Sequence, residues 1–300
     1  MRPPSREATA AKGAAWVTRA HRAASGVAAT ALFLLTSHCS LLASQIPPDL
    51  ERERREFAGW LETAPLSPYA VLALQPVGQG ISIGYEPSDL PLSTTTRGIA
   101  REANGVVTLE QGSARLVLPR GRAVPLESYR LVASGEPGRT VIAAYGAVRR
   151  YHPPSYFPHA PALSLSVTLE PPERRGSFRA LGLEGVEAQA IEAGFVRVVL
   201  GGTATRLRVY RIGGPEDDEA GLLIFFRDGT SGHGSYPAGR FIELIPEGGE
   251  GFRLDFNRAR NPFCAYSSAY PCPAPWPGNV LPVSIEAGER YHAAAGASEP

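Results

Sequence analysis

Short apolar runs separated by glycine, proline and asparagine follow one another along the chain from about residue 66 onward. Most runs are about four to seven residues long and rich in Val, Leu, Ile and Thr, which are residues that favour strands. They lie at residues 69–74, 80–84, 105–109, 114–118, 129–133, 141–145, 163–169, 195–200, 205–212, 222–226, 241–245 and 252–256. The pattern predicts an all-β fold of mostly antiparallel, sandwich-like or barrel-like sheets.

Two of these runs also predict which strand faces are buried. Residues 222–226 are apolar at every position, which predicts a central strand covered on both faces. Along residues 252–256, apolar and polar side chains alternate, so Arg253 and Asp255 share one polar face. That face is therefore available for polar contacts.

One amphipathic stretch precedes the strands and predicts a helix over residues 47–61. Asp49 can cap its first turn, and Glu and Arg alternate at the spacing of helical ion pairs. Phe57 and Trp60 give its end an apolar edge. We expect this helix to lie on the outside of a sheet.

The 300 residues, 43% of them hydrophobic, are enough for a substantial core and exclude a chain that is disordered throughout. Residues 151–161 are too rich in proline for a central strand and predict a crossing loop. We expect a single β-rich domain over residues 46–292, with two sub-lobes at residues 66–150 and 161–292. Residues 293–300 are predicted to be a disordered tail.

The amino terminus has the pattern of an export signal. Basic residues are spread over residues 1–22, and an uninterrupted small-to-apolar run follows at residues 26–35. Residues 1–44 are predicted to be a signal peptide, with an uncleaved membrane anchor as the alternative. Cys39 raises lipidation as a further alternative, although His38 stands where a small residue is expected. The predicted location is exported, whether periplasmic, extracellular or membrane-anchored, and this segment would provide the only membrane contact.

Charge argues against a nucleic-acid partner. The chain has 30 basic and 29 acidic residues, and its formal net charge is +1. No basic cluster interleaved with aromatic residues appears along it, as a nucleic-acid-binding surface would require.

Beyond Cys39 the chain contains two cysteines, Cys264 and Cys272. In an oxidising compartment two nearby thiols on a turn-rich segment most often form a disulfide, which we predict here. A zinc site would need two further ligands, and the histidines are scattered along the chain. We therefore predict no metal and no cofactor.

Unusual polar residues collect between residues 227 and 289. Asp228 follows one strand, Arg240 precedes another and Asp255 lies on a third, so we expect the three to converge. Either they form a polar network that holds the coil-rich residues 258–288 on the sheet, or they line a pocket for a small-molecule ligand. In the second interpretation Arg240 binds an anionic group. The candidate ligand-binding residues are Asp228, Ser231, Tyr236, Arg240, Asp255, Asn257, Asn261 and Tyr266.

A hydrolase that uses the same pocket is a further alternative. Ser231 and His233, with Asp228 or Asp255, supply the residue types of a catalytic triad. Ser231 lacks the Gly-x-Ser-x-Gly turn that exposes a nucleophile, and no catalytic residue is assigned. Whether the protein is an enzyme stays open at this point.

The same region resembles the bacterial domain-of-unknown-function family 1684, most strongly over residues 195–290 and weakly before. The resemblance rests on Asp228, Thr230-Ser231-Gly232, Tyr236, Gly239-Arg240-Phe241, residues 255–259, Asn261-Pro262, Cys264-Ala265-Tyr266, Cys272-Pro273, Asn279 and Ala287-Gly288-Glu289. Gly278-Asn279-Val280 departs from the family, which tends to have Glu-Asn-Arg there. The resemblance implies no established activity. We therefore expect an exported ligand-binding or envelope-associated domain with an Arg/Asp/Asn pocket, with a hydrolase and a purely structural network as alternatives.

Overall fold

The computed structural model describes residues 45–173, 176–212, 221–274, 276 and 278–291. The predicted signal peptide or anchor at residues 1–44 and the predicted tail at residues 293–300 lie outside the described residues. The described part contains one α-helix, α1 (Pro48–Thr63), and is otherwise built mainly from strands. The predicted fold class, mostly antiparallel β-sheets with one N-terminal helix, is confirmed.

The first half of the described chain forms two sheets that share a core. Its strands are β1 (Val71–Pro76), β2 (Ile81–Gly84), β3 (Leu90–Pro91), β4 (Arg97–Ala103), β5 (Val106–Gln111), β6 (Ala114–Leu118), β7 (Ala123–Leu126), β8 (Tyr129–Ser134) and β9 (Val141–Tyr145). One sheet has the order β1-β9-β8-β7, and the other has the order β3-β2-β4-β5-β6. Within these sheets only β2 and β3 run parallel. Ile83, Leu109 and Leu131 are fully buried in the shared core.

The second half forms two further antiparallel sheets. Its strands are β10 (Ser164–Thr168), β11 (Ser177–Leu181), β12 (Glu187–Leu200), β13 (Thr203–Ile212), β14 (Leu222–Phe226), β15 (Arg240–Glu243), β16 (Ile245–Gly248) and β17 (Gly251–Asp255). The five-stranded sheet has the order β11-β12-β13-β14-β15, and the three-stranded sheet has the order β10-β17-β16. Ile224 and Phe226 of β14 face the core between these sheets, whereas Phe225 packs on the opposite face. The prediction of a central strand covered on both faces is confirmed.

The C-terminal segment, residues 256–291, is mostly irregular where the structure describes it. It contains two short 3₁₀ helices, Phe256–Arg258 and Phe263–Ala265. Leu281, Ile285 and Ala287 are buried in the core of the second half. The segment is therefore packed along the sheets although it forms no ladder of its own.

Side chains from both halves meet in a third hydrophobic cluster. Ala143 and Tyr145 project from the face of β9 opposite to the first core and pack with Phe263 and Tyr270. The hydroxyl oxygens of Tyr145 and Tyr270 lie 3.2 Å apart. Residues 146–160, which we call the crossing segment, join the two halves and contain all but the last residue of the predicted proline-rich loop at residues 151–161. That last residue begins the 3₁₀ helix Pro161–Leu163. The single domain expected over residues 46–292 stays a prediction.

Helix α1 packs through Trp60 against Phe263 of the C-terminal segment. The expected cap at Asp49 is absent, since the residue before the helix is Pro47 and no side chain caps the first turn. Asp49 instead accepts a hydrogen bond from Arg258 at 2.5 Å, a contact between residues distant in the sequence. No helix in the described part of the chain has the length and apolar character needed to cross a membrane.

Candidate functional site

Arg240, the first residue of β15, is completely buried and well supplied with acceptors. Its Nη1 donates to the carbonyl oxygen of Ala287 at 2.5 Å, and its Nη2 donates to that of Ile285 at 2.9 Å. The Asp228 carboxylate lies 3.3 Å from Nη2. Burial lowers the pKa of Arg240, and the neighbouring Asp228 acts in the opposite direction. This arginine binds the C-terminal segment to the sheet.

The turn after β14 is organised by Asp228. Its Oδ2 accepts hydrogen bonds from the Thr230 hydroxyl at 2.8 Å and from the backbone N–H of Ile285 at 2.7 Å. The Ser231 hydroxyl oxygen accepts from the Asp228 N–H at 3.1 Å and donates back to its carboxylate at 3.3 Å. The His233 side chain is exposed. The described contacts therefore place Ser231 inside a turn and do not join it to His233.

Asp255 makes its contacts in a different cluster. Its Oδ1 accepts from the Asn257 side-chain amide at 2.8 Å, and its Oδ2 lies 3.3 Å from Arg258 Nε. The Asn257 Oδ1 in turn accepts from the N–H of Ala160 at 2.8 Å, and its Nδ2 donates to the carbonyl oxygen of Ala160 at 2.9 Å. The contacts thus bring Arg240 together with Asp228, whereas Asp255 contacts Asn257 and Arg258. The physical reason is that β15 and β17 belong to different sheets.

The predicted disulfide is not supported, because Cys264 and Cys272 are free thiols in the structure. The Tyr236 hydroxyl donates to the carbonyl oxygen of Cys264 at 3.1 Å and lies 3.3 Å from the sulfur of Cys272. Burial raises the pKa of Cys264 to about 12, which favours the thiol over the thiolate that disulfide formation requires. No group of three or more potential metal ligands occurs among the described residues.

A cavity of about 730 Å³ opens where the start of β1, the crossing segment and the C-terminal segment meet. We call it the interlobe cavity. Of the predicted ligand-binding residues, Asn261 and Tyr266 line it. The others lie outside its lining: Asp228, Ser231, Tyr236, Arg240, Asp255 and Asn257.

The inner end of the interlobe cavity is built around Glu289, of which 1% is exposed. The Tyr266 hydroxyl donates to Glu289 Oε1 at 2.6 Å, and the backbone N–H of Asn261 donates to Oε2 at 2.9 Å. Burial raises the pKa of Glu289 to about 7, although these two hydrogen bonds act in the opposite direction. Burial also raises the pKa of the Tyr266 hydroxyl.

The Asn261 side chain leaves an acceptor unused beside this carboxyl group. Its Nδ2 donates to the carbonyl oxygen of Arg290 at 3.1 Å, which fixes the orientation of the amide. Its Oδ1 is buried and receives no hydrogen bond from the described residues. Because buried polar atoms in proteins are nearly always paired, this oxygen is an unsatisfied acceptor beside Glu289, and it is shielded from the open space of the cavity.

The outer part of the interlobe cavity is basic. Arg149 and Arg150 are exposed at its opening, and Arg290 contributes a third guanidinium. None of the three forms an ion pair with any residue that the structure describes. Sequence reasoning missed them, although two adjacent arginines directly before a proline-rich crossing loop were a usable signal. Glu289 was identified from the sequence only as one of the residues that carry the family resemblance, and not as a site residue.

A smaller cavity of about 250 Å³ lies beside α1. Its lining includes Phe57, Trp60 and Phe263 together with Glu53 and Arg260. Glu53 and Arg260 already pair with each other at 2.5 Å. This cavity therefore offers fewer unused polar groups than the interlobe cavity.

Comparison with known proteins identifies one family. The model of the family described as Protein of unknown function (DUF1684) matches residues 149–290. Among solved structures, the chain is similar to the solution NMR structure of an uncharacterized protein from gene locus rrnAC0354 of Haloarcula marismortui. The identity is 32%, the match covers 47% of this chain and 77% of that chain, and the TM-score is 0.41. The comparison with curated proteins gives no match.

Proposed function

The chain belongs to the DUF1684 family of proteins of unknown function, and on that premise we propose that it binds a small molecule in the interlobe cavity. The family supplies no activity, so the proposal rests on the site itself. The observation that carries it is the group of three arginines, Arg149, Arg150 and Arg290, that line the cavity and form no ion pair with the described residues.

The rest of the lining supports the same proposal. A volume of about 730 Å³ lies within the usual range of small-molecule pockets, about 300–1,000 Å³. Tyr69, Leu72 and Tyr266 supply aromatic and aliphatic walls, and charged and polar side chains such as Arg149 and Glu289 complete the lining. The Tyr69 and Tyr266 rings meet edge to face with centroids 5.7 Å apart, which gives this wall a defined shape.

The two alternatives were a purely structural network and a hydrolase. A purely structural network describes Arg240, whose guanidinium is held by Ala287, Ile285 and Asp228. A hydrolase based on Ser231 gains no support, because the contacts of its hydroxyl are with Asp228. The proposed function is therefore binding, at a site next to the predicted one.

An exported location is part of the proposal and depends on the basic and apolar pattern of residues 1–44. Mass spectrometry of the protein purified from its native host tests it. We expect a mature chain that lacks this segment. The same measurement counts free thiols at Cys264 and Cys272. An intact, unmodified amino terminus in the cytoplasmic fraction would contradict the proposed location.

Ligand binding is tested by incubating the protein with a mixture of metabolites and identifying the retained compounds by mass spectrometry. Tyr266→Phe removes the donor to Glu289 within the cavity, whereas Tyr145→Phe removes a buried hydroxyl contact outside it. We expect the wild type and Tyr145→Phe to retain the same compounds, and Tyr266→Phe to lose them. Identical retention by all three proteins, or no retention by the wild type, would count against the proposal.

A further inference from the structure

We propose that the ligand is a small organic anion, with its anionic group held at the mouth of the interlobe cavity by Arg149, Arg150 and Arg290. The inference rests on the proposed function and adds the chemical class of the ligand.

The first step is the charge of the lining. Three arginines line the interlobe cavity, and Glu289 is its one acidic lining residue. Elsewhere in the described chain some arginines, such as Arg120 and Arg258, pair with carboxylates, whereas others, such as Arg122, are exposed without an ion pair. What distinguishes the cavity is that three arginines without an ion pair among the described residues line the same space. A guanidinium binds carboxylates and phosphates through two parallel N–H donors, so an anion is the ligand group that completes this site.

The second step is the position of these arginines. The backbone N–H of Arg149 donates to the carbonyl oxygen of Tyr69 at 3.1 Å, and that of Arg290 donates to the carbonyl of Ser155 at 2.8 Å. Main-chain contacts therefore hold the cavity arginines from two separate segments of the chain. The Arg290 guanidinium also lies 5.3 Å from the centroid of the Phe157 ring, which restricts its position.

The third step is the body of the ligand. Tyr69, Leu72 and Tyr266 give the cavity aromatic and aliphatic walls. At the inner end, the oxygens of Glu289 already receive the Tyr266 hydroxyl and the Asn261 N–H. The ligand therefore combines an anionic group for the arginines with an organic part that contacts these walls.

Four probes separate these requirements in calorimetric titrations of the full-length chain. Gluconate and glucose 6-phosphate contain both an anionic group and an organic body, glucose contains only the organic body, and inorganic phosphate contains only the anionic group. We expect gluconate or glucose 6-phosphate to bind at least about tenfold more tightly than glucose and inorganic phosphate. The stronger of the two distinguishes a carboxylate site from a phosphate site.

A matched pair of double variants tests the role of the mouth. In Arg149→Gln/Arg150→Gln we expect the Kd of the stronger anionic probe to rise at least about tenfold. Arg122→Gln/Arg130→Gln removes the same charge from two exposed arginines that also lack ion pairs in the described structure and lie outside the cavity. This control should leave the Kd within about twofold, since distant exposed charges are screened by salt.

Several outcomes would overturn the inference. Equal affinity for glucose and the two organic anions would do so, as would equal weakening by the two double variants. Binding of glucose alone, lost in Tyr266→Phe, would refute the anionic class and leave the proposed function intact. If no probe binds while uncharged metabolites are retained from the mixture, the inference fails and the proposed function stands. If neither probes nor metabolites bind, both fail.

Discussion

The C-terminal segment takes part in two polar regions that differ in how completely their hydrogen bonds are satisfied. Around Arg240, the guanidinium donates to three carbonyl oxygens of the segment and to Asp228, and among its nitrogens Nε is without a partner in the described residues. Around Glu289, a few residues further along, the buried Asn261 Oδ1 receives no donor from the described residues, and the arginines of the cavity form no ion pair there.

Both regions contain arginine, carboxylate and short polar side chains, so composition does not distinguish them. What differs is the remaining capacity for hydrogen bonds. A nearly closed network can only stabilise the fold, whereas a partly open one beside a cavity can also bind a ligand. Substitutions in the first region should therefore affect stability, and substitutions in the second should affect binding.

The largest expected effect follows from Arg240→Met. The change leaves the buried Asp228 without its cation and leaves the carbonyls of Ala287 and Ile285 without their donor. Breaking a buried ion pair in this way costs about 3–5 kcal/mol of unfolding free energy, which urea denaturation measures. Arg253→Met, which removes a more exposed pair with Glu247, should cost a small fraction of that amount. Equal losses in the two variants would contradict the structural role of Arg240.

The pairing of Arg240 with Asp228 could be anticipated from the sequence, because both flank strands that are neighbours along the chain. In the structure, Phe226 of β14 lies opposite Arg240 of β15, which places Asp228 just beyond. The two faces of β14 and the polar face of β17 were also predictable, since alternation along a strand is a local property. Such predictions need only the strand period and the order of the elements.

The interlobe cavity could not be predicted in the same way. Arg149 reaches it because its backbone bonds to Tyr69, a contact across about 80 residues that no local pattern encodes. Asp255 was expected near Arg240, but the sequence does not reveal that β15 and β17 lie in different sheets. Asp49 has the local chemistry of a helix cap, and its contact with Arg258 replaces that role. Each difference arises where a tertiary contact overrides a local preference.

The region around Glu289 should also make the stability of the protein depend on pH. The pKa of Glu289 is about 7 in the folded protein and about 4.5 in the unfolded chain, so the folded state binds more protons between these values. Wild-type stability should therefore fall as pH rises through this range, by up to about 3 kcal/mol. In Glu289→Gln the neutral amide can accept from the Asn261 N–H and donate to the Tyr266 oxygen. We expect this variant to gain stability relative to wild type between about pH 5 and pH 8.

Urea denaturation at the two pH values checks this difference. Glu243, whose pKa burial raises to about 6, titrates in both proteins and cancels in the comparison. Parallel stability curves for the wild type and Glu289→Gln would show that Glu289 is not the buried proton-binding group.

The third prediction compares two buried asparagines. Asn279 uses its whole amide: its Oδ1 accepts from the Arg208 N–H, and its Nδ2 donates to the carbonyls of Arg208 and Phe225. Asn261 makes one side-chain hydrogen bond, to the carbonyl of Arg290. Asn279→Ala should therefore cost about 2–3 kcal/mol of unfolding free energy, and Asn261→Ala about 1 kcal/mol. Chemical denaturation measures both. A larger loss in Asn261→Ala would place that residue with the structural network.

The smallest expected effect on stability belongs to Arg149→Gln/Arg150→Gln. Both side chains are exposed and form no ion pair with the described residues, so their removal leaves no buried group unpaired. The unfolding free energy should stay within about 0.5 kcal/mol of wild type in the absence of ligand. A loss above about 1 kcal/mol would show that these arginines support the fold and would remove the contrast with Arg240. In Arg149→Gln/Arg150→Gln we thus expect weakened anion binding and an unchanged unfolding free energy, whereas Arg240→Met lowers the unfolding free energy. The difference arises because Arg149 and Arg150 make no ion pair with the described residues, while Arg240 is buried and bonded to the C-terminal segment.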